Sequence, residues 1–352
     1  MGIDISFGSL KKGKRNLITD VPGVKVGHVT LSDDAVQTGV TAIIPGEGSA
    51  FREKFPAAVH VINGFGKSAG LIQVEELGTL ETPILLTNTF SVAACLDGLI
   101  TYMLRDHPEI GTTTGTVNSV VMECNDSVLN DIRGRHVKPE HALEALENIS
   151  EDFAEGAVGA GRGMKCYGWK GGIGSASRIV EIDGKEYTVG CLILTNFGKK
   201  EQFTVNGRHM GEEQLIQPEN GGCPDDKPDK AGERDQGSCI MVLATDLPLT
   251  DRQLGRCTHR AQNGLARTGA QTGGGSGEIV LMFSTRNRIP HDHGNAIASM
   301  EYLHEDLLDQ VFTAAADCVE ESLVSAVFHA ETVTGREGHT LEAFCRNPYT
   351  EQ

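Results

Sequence analysis

The chain should fold as a layered mixture of sheets and helices, an α/β or α+β sandwich. Short apolar runs bounded by Gly, Asn or Asp recur along it, as strands do. Several are almost continuously apolar, which predicts strands buried on both faces. Segments with apolar residues at helical spacing lie between them, and no fixed-period repeat organises the whole.

In chain order, Val59–Ile62, Pro83–Leu86 and Ser119–Met122 read as strands. Lys138–Glu151 should be a helix, with Pro139 in its first turn and Ala142, Leu143, Ala145, Leu146 and Ile149 at helical spacing. Val189–Leu194 is the next strand. Residues 218–237 then break the pattern: three prolines, abundant charge and almost nothing apolar are the composition of an exposed linker. A strand, Cys239–Ala244, follows at once. Thr250–Gly264 reads as a helix with Leu254, Cys257, Ala261 and Leu265 on one face, Ile279–Ser284 as a strand, and Leu303–Ala330 as a helix in two pieces. The residues after 237 hold too few strands for a sheet of their own. The break therefore reads as covalent processing within one domain rather than as a boundary between two.

Forty-three glycines in 352 residues, about 12%, exceed the usual roughly 7% and lie between the apolar runs. The glycines at 159–163 and 171–174 lack the strand, helix and later acid of a dinucleotide loop, so tight turns beside a packed sheet are expected there. Signatures of the nucleophile elbow, the zinc-protease helix and the phosphate loop are also missing. His291-Asp292-His293 has no partner at metal-ligand spacing and reads as an exposed loop.

A net charge of −17 repels phosphate backbones and anionic lipid, which argues against nucleic acid as a partner. No apolar stretch approaches the roughly 20 residues of a membrane-spanning helix. The first residues show no apolar block of signal-peptide type, and nine cysteines are scattered without a C-x-x-C pair. Reduced thiols in a cytoplasmic protein are the expectation.

Gly237-Ser238 stands out, because a serine at the junction of a polar stretch and a buried strand could attack the peptide bond before it. Cleavage would leave Ser238 with a free α-amine, whose pKa of roughly 7.7 to 8.0 lets it accept the hydroxyl proton without a histidine. The local pattern alone also allows a serine that merely opens a strand.

Ordered segments along nearly the whole chain carry a stronger signal. They include Asn16-Leu-Ile-Thr-Asp-Val-Pro-Gly-Val-Lys-Val-Gly-His28, Asn63-Gly-Phe-Gly66, Thr82-Pro-Ile-Leu-Leu-Thr-Asn-Thr89 and Asn125-Asp-Ser-Val-Leu-Asn-Asp-Ile132. Further on come Lys170-Gly-Gly-Ile-Gly-Ser-Ala-Ser-Arg178, Thr195-Asn-Phe-Gly198, Gly237-Ser238 and Gly275-Ser-Gly-Glu-Ile-Val-Leu-Met-Phe-Ser-Thr285. With these the sequence resembles the self-processing L-aminopeptidase/D-esterases and β-aminopeptidases, the DmpA or P1 peptidase family.

The resemblance implies a four-layer α-β-β-α sandwich of the DmpA/ornithine acetyltransferase type, similar to N-terminal-nucleophile hydrolases but with different connectivity. One domain, residues 1–352, would be cut into 1–237 and 238–352. Ser238 would be the nucleophile, Ser276 and Glu278 its supporting serine and acid, and Asn196 the oxyanion donor. Glu123 matches an acid near the substrate ammonium group, and Asn125 stands where some members carry an aromatic residue of the substrate or oxyanion pocket. The implied activity releases N-terminal residues from small peptides, amides or esters, without metal or organic cofactor, in a homotetramer. Ornithine acetyltransferases cleave themselves similarly and pass the acyl group to an amine, but at a threonine; a non-cleaved binding protein on the same fold is the other alternative.

Overall fold

The computed structural model describes residues 6–210 and 237–344. Most of the polar stretch 218–237 lies outside them; Gly237 lies within. The principal strands are β1 (Lys25–Asp33), β2 (Val36–Ile44), β3 (Glu53–Gly64), β4 (Ile84–Asn88), β5 (Val120–Cys124), β6 (Ile173–Ile182), β7 (Lys185–Asn196), β8 (Ser238–Thr245) and β9 (Gly277–Ser284). The helices are α1 (Leu71–Leu77), α2 (Val92–Asp106), α3 (Pro139–Glu147), α4 (Asp251–Arg267) and α5 (Leu308–Phe328).

Strand order in the smaller sheet is β1-β2-β4-β5, and in the larger β3-β9-β8-β7-β6, with short strands added at its β3 edge. All principal pairings are antiparallel except β4–β5 and β8–β9. Three apolar cores separate four layers. Val40, Ala42, Leu85 and Val121 of the smaller sheet pack against Leu99 and Met103 of α2 and Ala142 and Leu146 of α3. Ile240, Val242, Leu281 and Phe283 of the larger sheet face Ile43, Ile84 and Met122 of the smaller across the middle. Cys239, Met241 and Leu243 point the other way, onto Leu254 and Cys257 of α4 and Leu323 and Val327 of α5. Strand alternation thus sends successive apolar residues of β8 into two different cores, which is why the run is continuous. This is the four-layer α-β-β-α sandwich.

Every strand expected from the apolar runs is present, and each extends beyond its apolar centre or begins within it by a residue or two. The Thr250 helix start is a capping box: the Thr250 hydroxyl accepts from Gln253 N–H, and the Gln253 amide oxygen accepts from Thr250 N–H, both at 3.2 Å. The first expected helix stops at Glu147 rather than Glu151, because Ser150 leaves the helix to pair with Val26 through two 2.9 Å backbone bonds. The last comes in two unequal pieces, a 3-10 turn at Glu305–Leu307 and a helix of 21 residues, Leu308–Phe328. Its buried acids are matched from outside it: Glu321 by Arg178 at 2.6 Å and Lys12 at 2.5 Å, and Asp317 by Arg267 at 2.7 Å. Paired in this way they can sit within a helix buried almost all round.

Candidate active site

Sequence expectations converge on the end of the sandwich where β8 begins. Ser238 is in phase with Ile240 and Val242, so its side chain is directed toward the space between the sheets. Asn196 closes β7 directly opposite it in the antiparallel ladder, in phase with Leu192 and Leu194 on the same side. The hairpin that starts β7 turns at Asp183-Gly184, both left-handed with φ of 49° and 72°, the conformation a two-residue hairpin turn requires.

On the other side of β8, the parallel register sets Gly277 beside Ser238, flanked by Ser276 and Glu278. Ser276 Oγ donates to Glu278 Oε1. A Cβ at residue 277 would crowd the Phe65 carbonyl at 2.9 Å and Ser238 Oγ at 3.2 Å, so a glycine is what lets the three segments approach.

The peptide bond before Ser238 is held in detail. The Gly237 carbonyl oxygen accepts from Ser238 Oγ at 2.8 Å and from Gly277 N–H at 3.2 Å. The Gly277 N–H draws electron density from the carbonyl carbon, the change that nucleophilic attack there needs, while the hydroxyl bond keeps Ser238 Oγ beside that carbonyl. Gly237 has no room for a side chain, since a Cβ would lie 2.3 Å from Phe197 Cβ and 2.8 Å from Asn196 O. Asn196 itself accepts Lys165 N–H on Oδ1 at 3.2 Å, which commits its acceptor to that loop and turns its amide donors elsewhere.

Glu123 lies near the end of β5 and is only 2% exposed, so it is not a surface acid. Lys67 N–H donates to its Oε1 at 2.8 Å and Thr89 Oγ1 to its Oε2. Asn125 is exposed, and its Oδ1 caps a local turn by accepting Ser127 N–H at 2.9 Å. The next residue, Asp126, is buried against Asn130, and burial pushes its carboxyl up to about 6. Cys124, between the sheets, has its thiol pushed well up by burial and then by the charges of Glu123 and Glu278. Both carboxylates therefore act at this end of the molecule. Cys239, next to Ser238 in sequence, points into the opposite core, away from the site, and burial pushes its thiol well up.

Four contributors were not singled out from sequence. Gly277 acts through its N–H, which no side chain announces. Lys67 and Thr89 grip Glu123 from separate loops. Lys170 is fully buried and its ammonium group donates to the carbonyls of Gly161, Met164 and Gly171 at 2.9, 2.9 and 2.6 Å. It ties together the glycine-rich turns that carry Lys165, and burial draws its pKa well down. At the opposite edge, His291 bonds Thr114 Oγ1 at 2.6 Å and packs on Phe51.

Known proteins resemble the chain throughout. It is 39% identical to the beta-peptidyl aminopeptidase BapA of Sphingosinicella microcystinivorans, over 97% of this chain and 87% of that one. The crystal structure of the PH0078 protein from Pyrococcus horikoshii OT3 superposes with a TM-score of 0.90 at 48% identity, covering 98% of this chain and 96% of the other. The L-aminopeptidase D-Ala-esterase/amidase of Ochrobactrum anthropi, described as a variant of the Ntn hydrolase fold, gives 0.87 at 33% identity, covering 98% and 95%. The profile of peptidase family S58 matches residues 16–341, so the chain belongs to that family and is a hydrolytic aminopeptidase of the DmpA type.

Proposed function

We propose that the chain cuts itself between Gly237 and Ser238 and then uses Ser238 as an N-terminal nucleophile. The Gly237 carbonyl, gripped at once by the Ser238 hydroxyl and Gly277 N–H, is the observation that carries this reading. In the first step Ser238 Oγ adds to the Gly237 carbonyl carbon, the C–N bond breaks, and the hydroxyl proton passes to the departing nitrogen. The product is an ester between Gly237 and Ser238 Oγ, with the α-amine free. Water then hydrolyses the ester and releases the Gly237 carboxylate.

In turnover the α-amine takes the proton of Ser238 Oγ as it attacks a substrate carbonyl, and returns it to the leaving amine or alcohol. Ser276 and Glu278 orient Ser238 and balance the charge of its ammonium form. Asn196 donates to the oxyanion, and Glu123 pairs with the substrate's own ammonium group, which restricts the enzyme to free N-termini. Asn125 borders the substrate entrance. Small peptides, amino-acid amides and esters are the substrates, water the acceptor, and no cofactor takes part in these steps. A homotetramer, on family resemblance, and a cytoplasmic location, on the scattered cysteines, complete the reading.

Denaturing intact-mass analysis tests it. Wild type should give fragments 1–237 and 238–352, and Ser238→Ala a single intact chain. A wild-type chain that stays whole after long incubation has no α-amine to act as base, and the reading falls.

A further inference from the structure

Two large aromatic side chains at this end of the molecule are exposed, Phe65 at 60% and Phe90 at 52%. Their immediate neighbours hold the groups of the site. Phe65 N–H donates to Ser276 O at 3.2 Å, and its carbonyl abuts Gly277. Two residues on, Lys67 N–H holds one oxygen of Glu123, while Thr89, just before Phe90, holds the other. The segment Phe65-Gly66-Lys67 therefore runs from the serine end of the site to the acid, a reach of at most roughly 7 Å. Ile279 borders the same gap: a Cβ on Gly66 would stand 3.5 Å from its Cδ1 and 3.6 Å from Glu123 Oε1.

A substrate with its ammonium at Glu123 and its carbonyl at Ser238 lies along this segment, and its first side chain must leave beside these apolar groups. We infer that Phe65 and Phe90, with Ile279, form a side-chain subsite that selects substrates with a large apolar N-terminal residue, branched or aromatic. This rests on the roles given above to Ser238 and Glu123. A glycyl residue leaves both rings in water, whereas a leucyl or phenylalanyl residue covers them. The Lys67 ammonium stands 4.3 Å from the Phe65 ring centre, so the rim carries a positive charge that repels lysyl and arginyl side chains.

The paired probes leucinamide and glycinamide differ only in the side chain. At equal concentration leucinamide should raise Tm clearly further, a reading of binding that needs no turnover. In hydrolysis, kcat/KM for leucyl p-nitroanilide should exceed that for glycyl by roughly tenfold or more. Phe65→Ala and Phe90→Ala should each pull that ratio down by about threefold or more, and Phe65→Leu should largely keep it. Equal thermal shifts, or a ratio untouched by both alanine variants, overturns the subsite. A change of oligomeric mass in these variants, measured by light scattering, assigns the rings to a contact between copies and overturns it as well. Glu123→Gln should weaken both amides alike; a variant that binds both normally removes the ammonium role while leaving the side-chain ratio to be judged separately.

Discussion

Glu278 is nearly inaccessible and receives the Ser276 hydroxyl, one residue from the strand partner of Ser238. Glu278→Gln preserves shape and removes the charge. It should leave the thermal melt unchanged while lowering kcat by roughly a hundredfold or more; near-normal turnover would leave the α-amine to act alone. A second test at this scale concerns two buried titratable groups. Burial pushes His28 down from 6.5 to about 4 and Asp126 up from 3.8 to about 6. For His28 the unfolded chain binds more protons across that window, so its contribution is lost as pH falls from 6.5 to 4. For Asp126 the folded chain binds more, so its contribution is lost as pH rises from 3.8 to 6. Each slope reaches about 1.4 kcal/mol per pH unit, and between about pH 4 and 6 they oppose one another. Asp126→Asn removes one of them, so Tm of that variant should fall more steeply than wild type on acidification from pH 6.5 to 4. Parallel curves would show that Asp126 does not titrate in this range.

Among the elements, the turns around Lys170 decide how Asn196 is presented. Lys170→Met keeps the side-chain volume but withdraws three donors from the buried carbonyls of Gly161, Met164 and Gly171. The carbonyls of Gly161 and Met164 keep backbone donors, Met164 N–H at 3.2 Å and Gly171 N–H at 3.1 Å, so the loss falls mainly on the Gly171 carbonyl and the fold should lose roughly 1 to 3 kcal/mol, read as a lower Tm. Because Lys165 N–H rides on the same turns, kcat should fall more than KM rises; a variant that melts and turns over like wild type would make the clamp incidental. The same region shows what could be read from sequence. The strands are visible because a strand buried on both faces needs an unbroken apolar run, whereas Ser276 and Glu278 stand out only through the family resemblance, with which their two-residue spacing agrees. The glycine-rich turns at 159–163 and 171–174 were foreseen as packing turns, but not the lysine at their centre. Its role depends on carbonyls from three positions converging in space, which no spacing along the chain records. The hairpins of β1 with β2 and of β6 with β7 were also missed, although Asp183-Gly184 is a strong turn signal. α2 escaped too: its exposed Ile100 and Leu104 blur the apolar stripe that marks a helix.

For the whole molecule, the order of strands in the larger sheet matters most. β8 and β9 both follow residue 237 and lie side by side in parallel, with β3 on one flank and β7 on the other, both of which precede it. If the bond at Gly237 is cut, the second fragment is left wedged between two strands of the first and hydrogen-bonded to both. Before the cut, folding is a reaction of one molecule with itself; after it, the same sheet can be rebuilt only by collision of two. Uncut Ser238→Ala diluted from guanidinium should regain its circular dichroism with a yield independent of concentration. Cleaved wild type should recover poorly when dilute and better as concentration rises, and an equal yield at all concentrations would mean that the halves do not depend on each other. If the chain does cut itself, the strand order gives the enzyme a history: its native state is then reached easily only once, from a precursor that the cut destroys.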